Sequence, residues 1–259
     1  MTAINAFADA NGAYLMCDTA AYRASGRVTN WVNKAVLMPH LGFAFAMTGT
    51  LDAAGVMTDL LSKFSSFEDL MERGGATIKA AWDDDDFYFS YRDPELVHFR
   101  LFVAGWVKSQ ACGGVFALST RDEPGQEAFY LNGNSPLYLS PGRVAPQLDA
   151  VGVTINGALA PGLEPVDRLT RIIDLQRKQE TRDTEDQHPF VVGGHAIFTQ
   201  VGENGIIQST VRRWPDKIDE LIDPTKDPEF VDVVTGMPAG ANRHQRRALD
   251  RKNSKLKLV

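Results

Sequence analysis

Two of the four Asn-Gly pairs in this chain constrain it most. Asn11-Gly12 lies near its start and Asn204-Gly205 in its last quarter, each between short apolar runs. Both residues of such a pair tolerate positive φ, so each pair predicts a tight hairpin. A chain that opens and closes on hairpins builds antiparallel sheets. At 259 residues and 44% hydrophobic, it also holds enough apolar side chain to bury a core.

The segments between the hairpins alternate in character. "NKAVLMP" and "LGFAFAMTG" read as strands separated by a turn at Pro39-His40. Thr50 or Asp52 caps a helix through "LDAAGVMTDLLSKF", where Val56, Leu60 and Phe64 recur at spacing four. Ser66, with Asp69 three residues on, predicts a second helix start running toward Trp82 with an interruption at Gly74-Gly75. "DFYFSYR", "VHFRLFVAGWV" and "GVFALST" return to strand composition. "VDRLTRIIDLQRKQETR" is helical, with Val166, Leu169, Ile173 and Leu175/Gln176 along one stripe. Strands, helices, strands, helix, strands in that order predict an α+β domain over 1–214, two sheets held between helical layers.

Charge separates the remainder of the chain. From Asn242 onward, seven Arg and Lys residues face Asp250 alone, a local charge of +6 in a chain of net −6, so the body carries −12. Residues 215–259 hold prolines at 215, 224, 228 and 238 and few apolar residues, a composition for an extended arm rather than a second core. The basic tail suits an acidic partner. A neighbouring copy or another protein is expected before nucleic acid, because the tail has no aromatic residues for base stacking. No run of about 18 apolar residues predicts a membrane span, and no charged segment ahead of an apolar one predicts a secretory signal.

Candidate chemistry is sparse. Cys17 and Cys112 are isolated and have no zinc spacing, and the five histidines share no metal-ligand pattern. Asp83 to Asp86 read as a solvated loop rather than a cation site. No G-x-S-x-G or Walker motif is present, so neither a metal nor a nucleotide cofactor is expected. Thr2 stands at the tip of the first strand. It reads either as a β-branched strand residue or as a nucleophile uncovered when Met1 is removed.

Thr2, Asp18 and Lys34 recur at intervals of sixteen, and "MTGTLDAAG" stands between a strand and a helix. "LFVAGWVKSQACGGVFALS" and "VGGHAIFTQVGENGIIQSTV" follow as two long hairpins. In this order the elements resemble the N-terminal-nucleophile hydrolases, specifically the proteasome β-subunit family and its bacterial two-ring relative, over about residues 1–214. The resemblance implies a four-layer αββα sandwich and a peptide or amide substrate. It implies a Thr2 hydroxyl as nucleophile with its own α-amine as base, and Lys34 supplying a positive field. Asp18 would pair with and orient Lys34, and the N–H groups of Thr48 and Gly49 would hold the oxyanion. Ser140, in "YLSPG", takes the place of a supporting serine.

Strand parity sets Thr2 with Ile4 on one face, and Tyr14, Met16 and Asp18 on one face of the next strand. The Asp18–Lys34 pair reads equally as a structural ion pair. The sequence also departs from the active family: aligned on Gly193-Gly194, the places of a supporting Asp and Ser hold Pro189 and Val192. The order of the C-terminal third is similar to that of proteins encoded in tailed phages and prophages of alphaproteobacteria, often beside tail genes. That resemblance implies a tail-associated virion protein with catalysis lost or relaxed, its 215–259 arm joining like copies or other virion proteins. The location expected is the virion or the host cytoplasm. The alternative is an active threonine peptidase or amidohydrolase.

Overall fold

The computed structural model describes residues 2–23, 25–49, 51–84, 98–133, 135–153, 163–180, 188–227, 231–232 and 237–238. The chain is α+β, with antiparallel sheets. Its first strands are β1 (Ile4–Asp9) and β2 (Gly12–Asp18), then a short hairpin, β3 (Ala20–Tyr22) and β4 (Val28–Trp31). β5 (Ala35–Met38) and β6 (Phe43–Met47) precede α1 (Leu51–Leu61) and α2 (Phe67–Trp82). β7 (Arg100–Val107), β8 (Cys112–Ser119) and β9 (Tyr138–Ser140) follow, then a 3-10 segment over Gly142–Val151 and α3 (Pro165–Lys178). β10 (His195–Gly202) and β11 (Gly205–Arg213) close the first unit.

Both predicted hairpins form, each one residue earlier than the Asn-Gly pair implies. The two-residue loops are Ala10-Asn11 and Glu203-Asn204, because Asp9 pairs with Gly12 and Gly202 with Gly205. In the first loop the Asp9 carboxylate accepts the N–H of Asn11 (2.7 Å) and of Gly12 (3.1 Å), an aspartate-closed turn that fixes the register. Gly12 then serves packing, since a Cβ there would lie 2.8 Å from the Val201 carbonyl oxygen.

One sheet has the order β11-β10-β2-β1-β9 and the other β5-β6-β7-β8, every neighbouring pair antiparallel. Side chains alternate between two environments along each strand. Phe43, Phe45, Leu101, Val103 and Leu118 of the four-stranded sheet pack with Met57 and Leu61 of α1 and Phe67, Leu70 and Ile78 of α2. Phe7, Tyr14, Met16 and Phe198 of the five-stranded sheet pack with Val144 and Leu148 of the 3-10 segment and Leu169, Ile172 and Ile173 of α3. The residues of opposite parity, Ile4, Ala6, Leu15 and Cys17, meet Ala46, Phe102, Ala104, Val115 and Ala117 of the other sheet. Alanine is frequent in this seam, which allows close approach of the two sheets.

The closest approach is at Gly113, where a Cβ would lie 2.0 Å from the Gly12 carbonyl oxygen. Backbone must shift to admit it. Gly113→Ala is therefore expected to destabilise by about 1–3 kcal/mol, read as a lowered denaturation midpoint. A variant as stable as the parent would mean that the two backbones are not in contact there.

Ser66 caps α2 as the sequence predicts, its hydroxyl accepting the Asp69 N–H at 3.1 Å. The expected interruption at Gly74-Gly75 does not occur, and α2 runs through both residues to Trp82. These glycines instead admit neighbours: a Cβ on Gly75 would lie 2.4 Å from the Phe129 carbonyl oxygen, and one on Gly74 would lie 2.8 Å from Leu131. The strand expected over "DFYFSYR" and the basic tail from Asn242 lie outside the described residues.

The chain divides into a unit Met1–Ile222 and a second unit Asp223–Val259. The boundary thus falls after Ile222 rather than after Trp214, because residues such as Asp216 bond within the first unit. In the second unit, the Asp223 carboxylate accepts the Thr225 N–H at 3.0 Å and caps a turn over Pro224–Lys226. β12 (Val231–Asp232) and β13 (Met237–Pro238) pair antiparallel in the same unit. Among the described residues, no helix is long and apolar enough to cross a membrane.

Candidate functional site

The site is built on the ends of strands. β2 ends at Asp18, Lys34 immediately precedes β5, and Thr2 lies two residues before β1. Asp18 is fully buried and its carboxylate meets four donors. Oδ1 accepts from the Ala3 N–H at 3.0 Å and from Lys34 Nζ at 2.7 Å. Oδ2 accepts from the Ala20 and Gly193 N–H groups, both at 3.3 Å. A buried carboxylate needs such compensation, since desolvation costs several kcal/mol per ion. One side chain thereby fastens the start of β1, the turn after β2, the segment before β10 and, through Lys34, the edge of the other sheet.

Thr2 is close to this pair but does not share its hydrogen bonds. The register Ile4↔Cys17 sets Ala3 opposite Asp18 and puts Thr2 on the inter-sheet parity with Ile4. The carboxylate is thus reached through the Ala3 amide, not through the Thr2 hydroxyl. Among the described residues, neither Asp18 nor Lys34 is hydrogen-bonded to the Thr2 hydroxyl. Thr2 and Lys34 are each only 8% exposed. Ser140 pairs with Ile4 across β1–β9 and is buried. It is thus paired two residues along from Thr2, at the start of β1.

The two residues at the glycine turn differ. The register Ala35↔Ala46 brings Lys34 beside Met47, so Thr48 and Gly49 lie at the same end of the fold as Asp18. The Thr48 N–H, however, donates to the Arg100 carbonyl at 2.9 Å, and its hydroxyl accepts the Arg100 N–H at 2.9 Å. That amide extends the β6–β7 ladder and is engaged, so it is not an oxyanion donor in this geometry. Gly49, at φ +109°, is the other member of the predicted pair.

Two residues of this end escaped the sequence reading. Arg177, 1% exposed, forks onto Asp216 with two bonds of 2.9 Å and donates to the Val192 carbonyl at 2.8 Å. Its guanidinium lies 5.0 Å from the Trp214 ring centre. Asp216 in turn accepts the Gly194 N–H at 2.8 Å. The consecutive amides of Gly193 and Gly194 are thus held by two buried carboxylates, Asp18 and Asp216, each paired with its own buried cation. In sequence, Arg177 reads as an ordinary basic residue in the last turn of a helix. Asp216 gives no signal beyond following Trp214-Pro215.

No protein-family model matches the chain, and no curated protein matches it.

The electrostatics of the neighbourhood favour neutral side chains wherever no partner is supplied. Burial between the sheets, with Asp18 next in sequence, pushes the Cys17 thiol well above its ordinary value. It stays protonated and is a poor nucleophile at neutral pH. Burial likewise raises the Tyr22 phenol. His195, the first residue of β10, is shifted down, first by burial and then by the Arg213 charge beside it. Its N–H donates to the Thr19 hydroxyl at 2.8 Å, tying β10 to the end of β2. Among the described residues, no group of three His, Cys, Asp or Glu side chains is placed to hold a metal ion.

Proposed function

We propose that this chain is a structural protein of a phage or prophage virion, tail-associated, and that its first unit is a four-layer αββα sandwich of the N-terminal-nucleophile hydrolase type with lost or relaxed catalysis. The observation that carries this reading is the Asp18 carboxylate, bonded to three backbone amides and to Lys34 Nζ. Residues that would orient a nucleophile act here as a joint between strands. The engaged Thr48 amide and the closed surroundings of Thr2 support the same conclusion. The second unit and its basic tail would carry the contacts to like copies or to other virion proteins.

An active threonine peptidase or amidohydrolase is the second reading. It is favoured by the 2.7 Å Lys34–Asp18 contact directly beside the residue that follows Thr2. After removal of Met1, the α-amine of Thr2 would be the base for its own hydroxyl.

The two readings differ in reactivity. Periodate converts an N-terminal threonine to an aldehyde, and intact mass then reports whether Thr2 is free. A separate, unoxidised portion of the same preparation is exposed to a β-lactone electrophile that acylates activated threonine hydroxyls. The structural reading expects no adduct on Thr2. An adduct that disappears in Thr2→Ala and Lys34→Ala variants would establish the hydrolase instead. Purified particles from the host are expected to contain the chain in stoichiometric amount, and its absence from them would overturn the virion assignment.

A further inference from the structure

At the end of the fold away from Asp18, three hairpin turns surround a cavity of about 460 Å³. They are the β1–β2 turn at Ala10-Asn11, the β7–β8 turn near Ala111 and the β10–β11 turn at Glu203-Asn204. The volume lies within the range of small-ligand sites. The turns are drawn together by the Gly12–Gly113 approach, where neither backbone leaves room for a side chain.

The lining combines two kinds of surface. Trp106 and Ile206 supply apolar area, and both are half-buried. Asn11, Gln200 and Asn204 supply amides, and Glu203 supplies a carboxylate. Trp106 pairs in register with Gly113, a residue with no side chain to cover the indole. Its backbone is fixed by a 3.1 Å bond from its N–H to the Gly42 carbonyl.

We infer that this cavity binds a neutral saccharide. A pyranose ring has an apolar C–H face that stacks on an indole, while its hydroxyls both donate and accept. Planar amides can answer both roles and a carboxylate can accept from two hydroxyls. Among the described residues the one charged side chain of the lining is Glu203, which disfavours an anionic sugar. A hydrophobic small molecule would leave the polar groups unpaired, and a phosphate would meet no cation among the described lining residues. The site is remote from the Asp18–Lys34 pair and does not depend on whether Thr2 is active.

The test applies the full-length protein to a printed array of neutral and acidic glycans. Retention is expected on neutral glycans, with at least a tenfold loss of affinity in Trp106→Ala. Asn204→Ala, at an exposed turn position, is expected to weaken binding severalfold without altering the melting curve, so the test stands even if Trp106→Ala is unstable. Thr2→Ala should bind as the parent does, so failure of the virion or hydrolase reading would not disturb this result. No retention on any glycan, selective retention on acidic ones, or full binding by both Trp106→Ala and Asn204→Ala would overturn the inference.

Discussion

Replacing Arg177 with alanine is expected to lower stability by about 3–5 kcal/mol, the range found when one partner of a buried ion pair is removed. For a chain of this size that corresponds to a fall in melting temperature of roughly 10 °C. The side chain is 1% exposed, and among its hydrogen bonds are two to Asp216 and one to the Val192 carbonyl. Alanine removes all three and leaves a carboxylate in a site closed by Trp214, with the Gly194 amide as its remaining bond in that cluster. Arg177→Lys keeps the charge but cannot reproduce the planar fork, so it should fall between parent and alanine. A double variant, Arg177→Met with Asp216→Leu, removes both charges and should recover part of the loss. Denaturant melts of the parent, Arg177→Met, Asp216→Leu and the double variant form a double-mutant cycle. A cost below about 1 kcal/mol for Arg177→Ala would place this pair with exposed ion pairs and remove its role as a joint.

The same cluster shows what sequence could and could not supply. Local signals carried the α+β class, because hairpin turns, the Ser66 cap and the helical stripe of α3 each depend on residues a few positions apart. The turn register slipped by one because Asp9, not the Asn-Gly pair, closes the first loop. Gly74-Gly75 departs from its sequence expectation for a related reason. Glycine in a helix usually signals weakness, but here it is required by Phe129 and Leu131, more than fifty residues away.

At the candidate site, the interval of sixteen led to Asp18 and Lys34, and the two side chains do meet. The interval says nothing of which face Thr2 occupies, and that is decided by the pairing Ile4↔Cys17. The fate of the Thr48 amide is likewise a matter of β6–β7 pairing. Arg177 and Asp216 were invisible because an ion pair spanning thirty-nine positions leaves no local pattern.

Asp18→Ala and Lys34→Met are expected to differ sharply, although they break the same 2.7 Å contact. Asp18→Ala removes the acceptor of the Ala3, Ala20 and Gly193 amides and strands the Lys34 ammonium, 8% exposed, without its anion. The expected loss is about 3–5 kcal/mol. Lys34→Met removes a buried cation and keeps a side chain of similar length. The Asp18 carboxylate retains three backbone N–H donors, and several such bonds suffice to hold an ionised carboxylate. Its expected cost is about 1 kcal/mol or less, because the three amides still compensate the remaining carboxylate, which is therefore not left as the uncompensated buried charge that makes breaking a pair costly.

Thermal and denaturant melts measure the asymmetry. Equal losses in the two variants would mean that the Coulombic pair, not the backbone junction, holds this end of the fold. Particle incorporation adds a second readout. On the proposed virion role, and with Asp18 as a joint, Lys34→Met is expected to enter particles as well as the parent does, because the strand ends are already fixed by the three amides.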